Sequence, residues 1–133
     1  MKSFINFMTG TVLTGILYLL GGWDIALQTL LIVIVIDYIS GICKAIYKKK
    51  LNSKVGIKGI IKKFAYLLTV ALAVEIDQIM GNTGAIRTLV IYFFVANDGI
   101  SILENIGGMG IPLPNKLKEV LEQLRDENNP KTG

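Results

Sequence analysis

Glu75 and Asp77, two carboxylates two residues apart in this 133-residue chain, could in principle do acid/base work. General acid/base work needs a group within hydrogen-bond reach of a reacting atom. These two sit in an apolar run with no nucleophile and no pocket signature beside them, so the geometric partners of a catalytic site are missing. There is no histidine, which removes the commonest general base and metal ligand. Cys43 is the single cysteine, so an internal disulfide is excluded. No P-loop, dinucleotide-binding glycine pattern, zinc spacing or G-x-S-x-G occurs. Gly56-Ile57-Lys58-Gly59 matches the G-x-x-G loop of KH domains in letters, but apolar runs flank it where a βα scaffold belongs. The nearby lysines could attract nucleic acid, yet no aromatic residues interleave them for stacking. The residues predict no enzyme, no cofactor, no metal and no nucleic-acid partner.

The remaining candidates are polar groups inside apolar runs. A charge at mid-bilayer costs about 2.5–3.5 kcal/mol on insertion scales, so such residues face partners or water. In the run 87–106, Asn97, Asp98, Ser101, Glu104 and Asn105 fall within an arc of about 120° at helical spacing, and Arg87 projects onto the same arc. Tyr92, Val95, Ile102, Leu103 and Ile106 take the opposite side. In the run 25–43, Asp37 shares a face with Ser40, Gly41, Lys44 and Lys48. Asp77 lies with Thr69 and Ala73, while Glu75 points elsewhere. Two readings stand level on periodicity alone. Asp37, Asp77, Asn97, Asp98, Ser101, Glu104 and Asn105 line a water-filled path or hold an oligomer together, or they form a satisfied polar core. No G-x-x-x-G is present to supply a close-packing dimer motif.

These groups need long helices to carry them. Apolar residues make up 52% of the chain and charged ones 18%, against roughly 25% charged in ordinary globular proteins. Four apolar runs, about 4–20, 25–43, 60–80 and 87–106, approach the ~20 residues that cross a ~30 Å hydrocarbon layer. The expected fold class is an all-α integral membrane protein, a bundle of four transmembrane helices over residues 1–108. The count falls to three if the short first run only lies on the surface. Gly21-Gly22 and Gly81-Asn82-Thr83-Gly84 read as turns. The Gly107-Gly108-Met109-Gly110 segment with Pro112 and Pro114 ends the last run. The first run, although preceded by Lys2, lacks a small-residue cleavage site and is not read as a signal peptide.

Charge sets the orientation. Eight of the fourteen basic residues, Lys44, Lys48, Lys49, Lys50, Lys54, Lys58, Lys62 and Lys63, crowd the junction 44–63, which holds no acid. Short lysine-rich loops stay in the cytoplasm, so the junction and both termini are expected inside, with the lysines meeting anionic inner-leaflet lipid. Residues 109–133 form a cytoplasmic tail. Leu113, Leu117, Val120, Leu121 and Leu124 give its helix, about 114–127, one apolar face. Lys116, Lys118, Arg125 and Lys131 balance Glu119, Glu122, Asp126 and Glu127, and the helix is expected to end near Asn128-Asn129-Pro130. With that balance it reads as a tail packed on its neighbours rather than as a basic membrane-surface helix.

Ile36-Asp37-Tyr38-Ile39-Ser40-Gly41 followed by Lys44-Ala45 resembles a block of the toxin-secretion/phage-lysis holin family. The likeness continues through Leu51-Asn52-Ser53-Lys54-Val55-Gly56-Ile57-Lys58-Gly59-Ile60, Lys62-Lys63, Asp77 and Arg87. It closes on Asn97 to Asn105, Gly110-Ile111-Pro112-Leu113-Pro114 and Leu117, covering roughly residues 31–125. Asp98 stands where the family commonly has Glu. The resemblance implies a homo-oligomer in the bacterial cytoplasmic membrane that opens lesions, releases the endolysin or a large toxin, and collapses the membrane potential. It implies no enzyme and no cofactor. The alternatives are an antiholin of the same fold, for which Met8 could supply an internal start, and a small ion channel or transporter.

Overall fold

The computed structural model describes residues 1–128; the expected helix stop at Asn129-Pro130 and the charge of Lys131 lie outside the described residues. Five helices follow in order: α1 (Lys2–Leu19), α2 (Ile25–Tyr47), α3 (Ser53–Ile79), α4 (Ala85–Gly107) and α5 (Asn115–Glu127). No strand occurs among the described residues, as the all-α reading expects.

Local chemistry sets most of the helix ends. Gly21 and Gly22 adopt φ of +90° and +94°, a turn open to glycine at no steric cost. Asp24 then starts α2, its Oδ1 accepting the Leu27 N–H at 2.9 Å. Asn52 starts α3 in the same way, accepting the Lys54 N–H at 2.9 Å. Side-chain oxygens at these positions satisfy backbone donors that the first helical turn leaves orphaned.

α4 is the central helix, packed against α2, α3 and α5, while α2 and α3 meet each other only lightly. Leu20, Leu27, Leu30, Val70 and Ile91 form the buried apolar core. All five come from the half of the bundle near the Gly21 turn. The other half, toward Tyr47 and Ser53, is held by polar groups instead. α1 meets the apolar core through Leu17, beside Leu20 just past its end; Phe4, Phe7, Val12 and Leu13 along it are exposed.

Two of the four expected spans have the length and hydropathy of a membrane crossing. Among the described residues only α2 and α4 are long and apolar enough to cross a bilayer. α1 has 18 residues and includes Lys2, Asn6 and three threonines. α3 has 27 residues but carries Lys54, Lys58, Lys62, Lys63, Glu75 and Asp77. It also begins seven residues before the expected start at Ile60, because the Asn52 cap recruits part of the lysine junction into the helix. The junction is therefore the end of α2, a short turn and the first turns of α3.

Candidate functional site

The lightly packed seam between α2 and α3 leaves a cleft of about 880 Å³, with Tyr38, Lys44, Lys48 and Lys62 on its walls and Asp37, Lys63 and Asp98 at its floor. Tyr38 of α2 reaches across to Gly56 and Gly59 of α3. A Cβ at Gly56 would stand 3.2 Å from its hydroxyl and one at Gly59 3.7 Å from its ring. These glycines let the two helices approach at the far end while the cleft stays open below.

The floor is one hydrogen-bonded network contributed by three helices. Lys63 Nζ of α3 lies 2.6 Å from Asp37 Oδ2 of α2 and 2.7 Å from Asp98 Oδ2 of α4. Tyr66, one helical turn beyond Lys63, donates its hydroxyl to Asp98 Oδ1 at 3.0 Å. Its ring stacks on Phe94 at 4.0 Å between centroids and carries the Lys63 ammonium 4.8 Å from its centre. Asn105 Nδ2 donates to Ser40 Oγ at 3.0 Å and to Asp37 Oδ1 at 3.3 Å. Two carboxylates against one ammonium leave an excess negative charge. The Tyr66 hydroxyl and Asn105 amide, both neutral donors, are placed to spread it. A buried charge without such partners would be costly. No buried side-chain nitrogen or oxygen among the described residues lacks a hydrogen-bond partner.

A second polar cluster closes the opposite end. Asp77 of α3 accepts the Ile86 and Arg87 N–H groups, each at 2.9 Å, and so caps α4, whose own N-cap Gly84 has no side chain to offer. Buried Arg87 holds Asp24 through two nitrogens, at 2.7 and 3.2 Å, and donates to the carbonyls of Leu20 and Gly22 at 2.6 and 3.1 Å. That guanidinium, hydrogen-bonded to Asp24, holds the Asp24 carboxyl below the ordinary carboxylate range.

The predicted stripe of α4 is thereby divided. Asp98 is buried and Asn105 turns inward to α2, whereas Asn97 and Glu104 are exposed and Ser101 is half-buried between them. Asn97 still reaches the Tyr66 hydroxyl at 3.2 Å. The Glu104 side chain has no partner among the described residues. Asp37 and Asp98 come together; Asp77 belongs to the other end. Of the eight lysines, Lys63 is consumed by the network and Lys44 lays its stem over Gly108. Lys48, Lys49, Lys50, Lys54, Lys58 and Lys62 are exposed and have no acid partner among the described residues. Sequence reasoning placed Lys63 with the surface lysines and did not single out Tyr66 or the Asp24–Arg87 pair. One signal was available: Lys62 and Lys63 point about 100° apart on a helix, so a helix with one buried face cannot expose every lysine of the cluster equally.

Among the described residues no group of acids and cysteine could hold a metal ion. The arrangement can lock helices through charge and present polar groups on one face of α4.

Comparison with known proteins places this chain in a family. The model of the bacteriophage holin family matches residues 14–126. An uncharacterized 14.9 kDa protein encoded in the 3′ region of nagH in Clostridium perfringens is 43% identical over 131 residues, 96% of this chain and 99% of that protein. The uncharacterized protein Lmo0128 of Listeria monocytogenes is 46% identical over 104 residues, 78% of this chain and 74% of its own length. A probable holin of Bacillus phage phi105 is 33% identical over 106 residues, 80% of this chain and 78% of the phage protein. No solved structure matches. With the family model covering most of the chain, from the end of α1 into α5, this protein belongs to the bacteriophage holin family.

Proposed function

We propose that this holin-type protein oligomerises in the bacterial cytoplasmic membrane and opens lesions that release an endolysin, or a large toxin, and dissipate the membrane potential. The observation that carries the reading is the outer face of α4. A helix apolar enough to cross a bilayer exposes Asn97 and Glu104 one above the other, with Ser101 between them. Glu104 has no side-chain partner among the described residues. In lipid that face needs a partner, because helix association there rests on packing and interhelical hydrogen bonds rather than on apolar burial. A second copy of the chain, or water in an assembled lumen, supplies it.

The inward-facing network has the opposite role in this reading. Asp37, Lys63, Asp98 and Asn105 hold each subunit together and are not the lesion wall. In the proposed topology the helices cross four times, with the lysine-rich turn and both termini in the cytoplasm and the lysines against anionic lipid.

The test is inducible expression with and without a co-expressed cell-wall hydrolase, following turbidity and membrane potential together. Loss of potential with hydrolase-dependent clearing is expected. A loss of potential that never lets the hydrolase through would replace the lesion by an ion channel, and no loss at all would point to an antiholin. Within that assay Glu104→Leu is expected to delay clearing at unchanged protein level. Normal timing from this variant would remove Glu104 from the interface.

A further inference from the structure

α5 lies where a membrane-spanning α4 cannot keep it. Leu113 packs at Gly107, where a Cβ would stand 3.9 Å from Leu113 Cδ1. Leu121 fills a notch at Gly99, where a Cβ would stand 2.9 Å from Leu121 Cδ2. These contacts bracket Leu103, because 99, 103 and 107 lie along one face of a helix. The chain therefore doubles back at the Gly107–Pro114 bend, and α5 runs antiparallel along α4. Gly99 is eight residues from the Gly107 end, about 12 Å along the axis. α5 continues past that level for six further residues, to Glu127.

α5 is rich in charge: Lys116, Lys118, Glu119, Glu122, Arg125, Asp126 and Glu127 fall within its 13 residues. With α4 in hydrocarbon, a docked α5 carries most of them to bilayer depth. Each such charge weighs about a hundredfold against the arrangement. Lys118 and Glu122, 3.9 Å apart and well exposed, do not offset that. The segment linking the helices can yield: Gly107, Gly108 and Gly110 sit there, Gly110 at φ +83°, and Pro112 and Pro114 block continuation of α4.

We infer that α5 is an intramolecular cover on the Gly99–Leu103–Gly107 face of α4, displaced when α4 enters lipid, and that α4 of a second copy takes the uncovered face. The occupant follows from the shape and chemistry of the surface. It is apolar, it is notched by glycine, and it already accepts an antiparallel helix. An uncharged helix can lie there in lipid, which α5 cannot. α4 carries no charged side chain on that face. This inference rests on the proposed membrane assembly but concerns a surface separate from Asn97 and Glu104.

The test uses the full chain with Cys43→Ser and Leu103→Cys, oxidised in isolated membranes before clearing begins. Leu121→Ser/Leu124→Ser loosens α5 without touching α4 and, because the parent's α5 is already displaced in lipid, is expected to leave the yield of disulfide-linked dimer and the clearing time at the parent's values. Lys116→Gln/Lys118→Gln/Glu119→Gln/Glu122→Gln/Arg125→Gln/Asp126→Asn/Glu127→Gln removes every charge of α5, lets it stay docked in lipid, and is expected to lower the dimer below the parent. Extraction with alkaline carbonate checks that every variant is membrane-integrated to the same level. Equal dimer yields across the three chains would overturn the inference. So would delayed clearing in the serine variant, which would make α5 part of the lesion wall. The dimer is read before any lesion forms, so a chain that never permeabilises the membrane refutes the proposed function and leaves this measurement intact.

Discussion

Lys63 is the cation on which two buried carboxylates depend, at 2.6 Å from Asp37 and 2.7 Å from Asp98. Removing one partner from a buried ionic group costs about 3–5 kcal/mol, because the remaining charges lose their compensation. Lys63→Met is therefore expected to lower the unfolding midpoint in detergent micelles sharply, and Asp37→Asn/Lys63→Met/Asp98→Asn to recover most of it. A triple variant as unstable as the single one would mean that Lys63 matters for packing and not for charge. The Asp24–Arg87 pair makes a second, pH-dependent claim. Arg87 lowers the Asp24 pKa in the folded chain, so the pair contributes above the unfolded value of about 3.9 and its contribution is lost as pH falls through the lower folded value. Asp24→Asn keeps an oxygen for the Leu27 N–H and removes only the charge. The gap between parent and variant unfolding midpoints is expected to be full at pH 7 and to close below about pH 4. A gap that stays constant across that range would remove the ionic part of the argument. Neither partnership was legible as a pair in the sequence. Hydrophobic period marks which residues turn inward, but nothing in it records that α3 brings position 63 to positions 37 and 98.

Helices were legible because their signals are local. Apolar runs bounded by glycine pairs, the Asn52 turn and the Gly107–Pro114 break mark four long helices, and the leucine spacing marks α5. What the period could not resolve is how a polar stripe divides between neighbours. Asn97, Asp98, Ser101, Glu104 and Asn105 share an arc of α4, yet α2 and α3 cover only one side of it. That partition depends on where other helices pack, which is tertiary information. The start of α4 was also hidden, since its cap comes from Asp77 on another helix. Gly84 adopts φ +78°, a conformation open to glycine at no steric cost, but offers no side chain. Asp77→Ala is expected to cost about 1–2 kcal/mol, the usual loss of a helix cap, and to speed amide exchange at Ile86 and Arg87 selectively. Asp77→Asn, with one carbonyl oxygen left to accept, should fall between. Uniform acceleration along α4 would indicate lost packing and not a lost cap.

Across the whole molecule the two ends are built by different physics. Leu27, Leu30, Val70 and Ile91 are fully buried near the Gly21 turn, whereas the lysine end depends on the charged network beneath an open cleft. The chain is thus stiffened by apolar contact at one end and by satisfied charge at the other. α1 stands outside both arrangements until Leu17 and Leu20. This division gives a prediction in which similar-looking apolar residues have unequal weight. Leu27→Ala removes a fully buried side chain and is expected to cost about 2–5 kcal/mol. A chain beginning at Met8 loses Phe4, Ile5 and Phe7, all exposed in the single chain, and its unfolding is expected to shift by no more than about 0.5 kcal/mol. The same truncation removes Lys2, the basic residue that supports an inside N-terminus. Its effect is therefore expected on orientation and clearing time, read by the reactivity of a Thr11→Cys variant toward an impermeant thiol reagent in the Cys43→Ser background. If unfolding stability drops with the truncation as far as with Leu27→Ala, α1 belongs to the packed core, and the division between the free first helix and the bundle fails.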